Sequence, residues 1–346
     1  MRKLIVLVSA LLLVSMVAIA SDVTLSGEVE QKWAQDFNAK AYTENPQVEV
    51  KLDAVVDDNA SLYIEFEEAA PNIGFNFDKA HFTLDLGGIF DLPVGVTLRT
   101  GWDEYDQFDA VKVTFGEYED IIGSDTQTWG HEVNIAATEQ VALRVLWGND
   151  PGLEYYSAGV AVTYDPVYVE VSYVNISSAI GVVTEDAAKG DIEAGVEFMQ
   201  EVADGIDVAA AATLDFDLEE DTTGDSHWAY GAALQGTYND MVTVGAALRG
   251  EQDSEASSLQ VDISATPVEN VTVFLVAGLG LDSDIYADAF ESFEGSVMFM
   301  LGPSTWYAGL LWSADTAVNV IASEKADFVA EVPDMMAIFM RAELKY

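Results

Sequence analysis

The sequence predicts an all-β fold, a single transmembrane antiparallel up-and-down β-barrel of about 16–18 strands. Three observations predict it. Apolar and polar residues alternate with period two almost from end to end, the signal of a strand and not of a helix. Short turns and long polar stretches join the alternating segments in turn. The chain also ends inside such a segment, with Met336, Ile338, Met340, Ala342, Leu344 and Tyr346 on one face.

The alternation can be followed along the chain. Val48, Val50, Leu52 and Ala54 interleave with Glu49, Lys51 and Asp53. Val94, Val96, Leu98, Thr100 and Trp102 run against Gly95, Thr97, Arg99 and Gly101, and Tyr156, Ala158, Val160, Val162 and Tyr164 against Ser157, Gly159, Ala161 and Thr163. The pattern recurs over Ile192–Phe198, Ile206–Leu218, Trp228–Tyr238, Val242–Leu248, Leu259–Ala265, Val271–Leu281 and Trp306–Trp312. Short turns fall at Asp57-Asp58-Asn59, Asp165-Pro166, Ala203-Asp204-Gly205, Asn239-Asp240, Pro267–Asn270 and Gly302-Pro303. Their residues tolerate the left-handed region or pre-set φ, so each can reverse the chain tightly. Longer polar stretches lie at Asp36–Asn45, Asn175–Asp191, Glu219–Asp225 and Asp282–Ala289. This order is that of a meander whose two ends differ, short turns on the periplasmic side and long loops outside. Residues 316–334 fit a strand pair or a loop, which leaves the strand number open.

Residues 1–20, MRKLIVLVSALLLVSMVAIA, carry the three parts of a secretory signal: Arg2 and Lys3, an apolar stretch from Leu4 to Val17, and Ala18-Ile19-Ala20 before Ser21. They are expected to be cleaved, and residues 21–346, which show no linker or composition shift, to form one domain. Zero cysteines rule out a disulfide-stapled fold. Removing the signal leaves 12 basic residues against 60 acidic, a formal charge of −48. That sign excludes a nucleic-acid partner and opposes docking on anionic lipid heads. Yet half the residues are hydrophobic and the mean hydropathy is +0.16. The chain is too rich in Val, Phe and Tyr for an acidic disordered polymer, so its apolar face is buried in a core or in lipid.

Lipid is favoured over the core of a soluble sandwich. Trp33, Trp102, Trp147, Trp228, Trp306 and Trp312 sit near segment ends, with Tyr164 and Tyr238 beside turns, as in the aromatic girdles of a barrel. The other face carries charge and Gly throughout. A terminal amphipathic strand closing on an aromatic residue resembles the assembly signal of bacterial outer-membrane barrels, with Tyr346 in the position usually taken by Phe. Signal, meander and last strand together resemble the porin superfamily over the whole chain.

The resemblance implies a passive water-filled channel in the cell outer membrane for small hydrophilic solutes and ions, with outer-membrane lipid and the barrel assembly machinery as partners and a homotrimer as a further implied assembly. The excess of acids makes a preference for cations the expectation. The alternative is a plugged barrel that anchors a surface layer or the envelope. No cofactor, metal or catalytic site is expected.

By parity the four arginines after the signal, Arg99, Arg144, Arg249 and Arg341, fall on the polar face, as do Lys32 and Lys51. A basic side chain on the lipid face at mid-membrane depth would cost about 2–4 kcal/mol. The stretch from Asp103 to Gln127 reads as the longest loop. General porins fold a long acidic third loop into the barrel against a basic wall. The resemblance therefore implies a constriction with Glu117, Glu119 and Asp120 on its acidic side and Lys51, Arg99 and Arg144 on its basic side. Two other readings stand beside it: Val111–Phe115 could form a strand, and the charges could simply solvate a wide lumen. Of the histidines, His81, His131 and His227, none has a Ser at i+2, the spacing a strand-borne nucleophile would use. Asp217, Glu219, Glu220 and Asp221 could hold Ca²⁺ weakly, without the spacing of a dedicated loop.

Overall fold

The computed structural model describes residues 22–38, 42–69, 76–105, 126–150, 153–178, 190–220, 226–251, 257–281, 290–314 and 335–345. The first half of the sheet comprises β1 (Asp22–Asp36), β2 (Tyr42–Asp57), β3 (Ala60–Ala69), β4 (Asn76–Asp85), β5 (Gly95–Tyr105), β6 (Thr126–Ala136), β7 (Val141–Asp150), β8 (Leu153–Tyr164) and β9 (Val167–Ser178). The second half comprises β10 (Asp191–Ala203), β11 (Ile206–Glu220), β12 (Ser226–Tyr238), β13 (Val242–Glu251), β14 (Ser257–Val268), β15 (Val271–Gly280), β16 (Phe290–Leu301), β17 (Ser304–Ser313) and β18 (Met335–Lys345). Each strand pairs antiparallel with its sequence neighbours, and β18 pairs with β1, so these eighteen strands close into a ring. Closure removes the edges that an open sheet would present to lipid with unpaired N–H and C=O groups.

One rim carries the tight turns. Asn239 and Asp240 both have positive φ (49° and 54°), as do Gly205 (69°), Asn270 (66°) and Gly302 (63°). These are the residue types that reach the left-handed region at low cost. At this rim the β4–β5 connection holds a single-turn helix, α1 (Leu86–Ile89), which the alternation did not predict. Asp85 caps it, accepting a hydrogen bond from Gly88 N at 2.9 Å. Most long connections gather at the opposite rim, where the strands run longer than the alternation suggested. Tyr42–Asn45, expected in a loop, belong to β2, and β9 extends to Ser178. About 9–11 residues span the hydrocarbon at the usual tilt, so β1 and β2, of 15 and 16 residues, project beyond it.

Cross-strand partners share a face, so the registers fix inside and outside all round the ring. Outward positions are apolar: Leu25, Leu143, Val145, Val160, Val171, Leu234, Leu275 and Leu310 all stand exposed. Ala54, Leu62, Ile64 and Ala80 pack on this outer face with Leu52 and Phe82. The tryptophans point out near the rims and are stacked or tilted against neighbours: Phe290 with Trp312 (5.4 Å between ring centroids), Phe299 with Trp306 (6.2 Å) and Trp102 with Trp129 (6.1 Å). Inward positions are mostly polar, with a small apolar cluster of Ala34, Leu311, Ala337 and Phe339 beside Tyr307. Phe339 lies over Gly309, where an added Cβ would come within 2.6 Å of the ring.

Candidate functional site

The lumen wall is the candidate site, and its charge is unevenly arranged. At the seam, the β1–β18 register sets Glu30 opposite Glu343 and Lys32 opposite Arg341. Arg341 Nε contacts Glu30 Oε1 and lies 2.8 Å from Glu343 Oε1, while Lys32 Nζ lies 3.0 Å from Glu30 Oε2. Lys345 reaches Glu28 at 3.3 Å, and the Arg341 guanidinium sits over the Tyr307 ring at 5.7 Å. Together with Gln47 and Glu49, the charged groups of this seam line a polar cavity of about 360 Å³. Glu28, Glu30 and Glu343 bring carboxylate oxygens within 4.8 Å of one another, close enough for a metal ion. Lys32, Arg341 and Lys345 already occupy those carboxylates, so the protein's own cations fill the role.

A second network spans β3 to β6. Asp103 Oδ2 lies 2.8 Å from His81 Nδ1 and 3.1 Å from Arg99 Nη1, and Arg99 Nη2 donates to Glu132 Oε2 at 3.4 Å. His81 stacks on Tyr63 (5.2 Å), whose hydroxyl donates to Glu65 at 2.5 Å. Gly101, between Arg99 and Asp103, has φ 153°, and an added Cβ would lie 2.1 Å from the Ala80 carbonyl oxygen. A side chain there would push β4 and β5 apart.

The third zone, on β9–β11, is different in kind. Inward positions there carry Glu170, Asp191, Glu193, Glu197 and Asp215. Between Arg144 and Arg249 the chain has one basic residue, Lys189, outside the described residues. Glu170 accepts from Tyr168 Oη at 2.7 Å and from Ser172 Oγ at 3.4 Å. In a ring of eighteen strands β10 stands nine places from β1, so the acidic zone faces the seam across the lumen.

Lys51, Arg99 and Arg144 all lie on inward positions, as do Lys32, Arg249 and Arg341. They do not form one ladder: Lys51 is on β2, Arg99 on β5 and Arg144 on β7. Lys51 pairs with Glu49 and Arg99 with Asp103 and Glu132, and in the strand register Arg144 stands opposite Asn134 and Gly159. Glu117, Glu119, Asp120 and Tyr346 lie outside the described residues, as does Val111–Phe115. Asp103 is not a loop residue but a buried member of β5. Asp217, Glu219 and Glu220 likewise belong to β11, not to a loop. His131 points outward into the girdle, where Nδ1 meets Thr100 Oγ1 at 2.5 Å and the ring packs against Trp147 at 5.2 Å. Each polar group of the pair satisfies the other at a position facing lipid.

No protein-family model matches the sequence, and no curated protein matches it. Solved structures do match in shape. The crystal structure of Pseudomonas aeruginosa OccK11 (OpdR) superposes with a TM-score of 0.62 at 10% identity, over 95% of this chain and 96% of that one. Pseudomonas aeruginosa OccK5 (OpdH) gives 0.60 at 9% identity, over 94% and 98%. A triple mutant of the Rhodopseudomonas blastica porin gives 0.54 at 13% identity, over 94% and 100%. The fold is that of the bacterial outer-membrane porins.

Proposed function

We propose that the chain is an outer-membrane porin, a passive channel for small hydrophilic solutes and ions with a preference for cations. The observation that carries the reading is the ring itself: apolar outside, charged and polar inside, through a closed sheet of eighteen strands. Barrels of this size enclose water instead of a packed core. Carboxylates lining a water-filled passage concentrate counter-ions and repel co-ions, and the wall's acids outnumber bases that are themselves largely ion-paired. The likeness to known porins supports the same reading.

The proposal includes removal of residues 1–20 on export, insertion by the barrel assembly machinery through the last strand and Tyr346, and assembly as a homotrimer in the outer membrane. It keeps a constriction between Glu117, Glu119 and Asp120 and the wall residues Lys51, Arg99 and Arg144. Reversal potentials across a KCl gradient in planar bilayers test it. A positive result is conductance with K⁺ favoured over Cl⁻. A chloride preference would hand selectivity to the wall arginines, and no conductance would favour the plugged anchoring barrel.

A further inference from the structure

Four consecutive inward rows on β9–β11 each carry a carboxylate. Asp191 leads, followed by Glu193 opposite Asp215, then Glu170 opposite Gly195, then Glu197. Glu170, Glu193 and Glu197 are only 2%, 4% and 6% exposed. Among the described residues, Glu193 Oε2 and Thr213 Oγ1 are buried without a hydrogen-bond partner, and the two stand in adjacent rows. A carboxylate withdrawn from water without a partner is unfavourable, and the neighbouring acids make it more so. The described wall supplies no Lys or Arg on these strands. The nearest described cations are Arg144 on β7 and Arg249 on β13, two strands away on either side, and Glu193 Oε2 and Thr213 Oγ1 remain open to a donor from the lumen.

The spacing says which kind. Successive inward positions on one strand lie about 7 Å apart, twice the rise per residue. In an extended linear amine, ordinary C–C and C–N bonds put ammonium groups separated by four carbons about 6 Å apart. An ammonium head also donates up to three hydrogen bonds, which suits a carboxylate in one row and the Thr213 hydroxyl in the next. A compact hydrated Mg²⁺ ion meets carboxylates at a single point and cannot bridge successive rows, and among the described residues the group of three acids whose oxygens converge is at the seam, not here. We infer that the β9–β11 wall is a binding track for linear organic polycations, diamines and polyamines, with Glu193, Thr213 and Glu170 as its centre. The inference rests on the channel reading for how such cations reach the wall.

Isothermal titration of the folded, detergent-solubilised full chain with spermidine tests it without requiring conductance, so a closed lumen in bilayers would sink the channel reading and leave this one to its own result. The paired substitution Glu170→Gln/Glu193→Gln should weaken spermidine binding at least tenfold. Asp58→Asn/Glu139→Gln, which removes the same charge from exposed turns at the tight-turn rim, should leave it unchanged. Equal weakening by the two pairs would mean only diffuse attraction to an acidic protein and overturns the track. Unchanged affinity in the inner pair, the outcome if protons neutralise these acids, overturns it too. Should the inner pair not fold, competition on the native protein decides: putrescine must displace spermidine better than Mg²⁺ at equal concentration, and the reverse order is fatal.

Discussion

Glu30 in the first strand and Arg341 in the last are ion-paired inside the lumen, across the line where the sheet closes on itself. Their carboxylate and guanidinium are both largely buried, and Glu343 and Lys32 complete the group. Removing one partner of such a buried pair typically costs about 3–5 kcal/mol, because the other charge is left without compensation. Arg341→Met is therefore expected to lower the unfolding midpoint of the folded barrel, read as loss of the heat-modifiable gel band in urea. Adding Glu30→Gln should restore part of the loss, since the two sites are directly coupled. Additive losses would show that the two side chains do not depend on each other.

Gly101→Ala should be far more harmful than its size suggests. The new Cβ would meet the Ala80 carbonyl oxygen at 2.1 Å, and the backbone there lies in a region L-residues avoid. Gly236, in contrast, has nothing within 4 Å of its Cβ position. Urea titrations of the two variants should show a clear drop in stability for the first and almost none for the second.

Charge placement should discriminate the two faces sharply. Leu275 is outward and central in β15, whereas Ser264, one residue along the partner strand from its pair mate Ile263, is inward. Leu275→Arg is expected to destabilise the inserted barrel by about 2–4 kcal/mol. Ser264→Arg should stay within about 1 kcal/mol by the same folding assay, because it places the charge on the wet face. Equal effects would mean that the face assignment at β14–β15 is mistaken.

Cation preference should fade with salt. Screening shortens from about 10 Å at 0.1 M to about 3 Å at 1 M, so wall carboxylates stop governing the middle of a wide lumen. Reversal potentials at the two ionic strengths should move toward the ratio expected from the mobilities of K⁺ and Cl⁻ in bulk. Selectivity undiminished at 1 M would instead require a narrow, dehydrated filter.

The export reading has its own check. Edman sequencing of protein from outer-membrane vesicles should begin at Ser21, and a sequence starting at Met1 would refute cleavage.

Local alternation was enough to place Arg99, Arg144, Arg249, Arg341, Lys32 and Lys51 on the wet face, because a side chain's face depends only on parity along its own strand. Parity is silent about partners, however. Glu30 and Arg341 are distant in sequence, and only ring closure sets them side by side, so the seam network could not be read from either segment. The acid zone on β9–β11 was missed for a similar reason: Glu170 fills the row that Gly195 leaves empty, a fact of register between strands. Polar stretches misled at the long-loop rim, where strands leave the membrane but keep their ladder, as Tyr42–Asn45 and Asp103 show. The single-turn helix after Asp85 is too short to impose a period.

With eighteen strands alternating in direction, β1 starts and β18 finishes at the same rim, the one with the tight turns. Asp22 and Lys345 both flank the β1–β2–β18 part of the ring. A peptide bridge between those ends would leave every ladder intact, and the chain could then be opened at Asp204-Gly205 on the opposite wall. Such a circularly permuted protein would keep the lumen while moving its free ends half-way round the circumference.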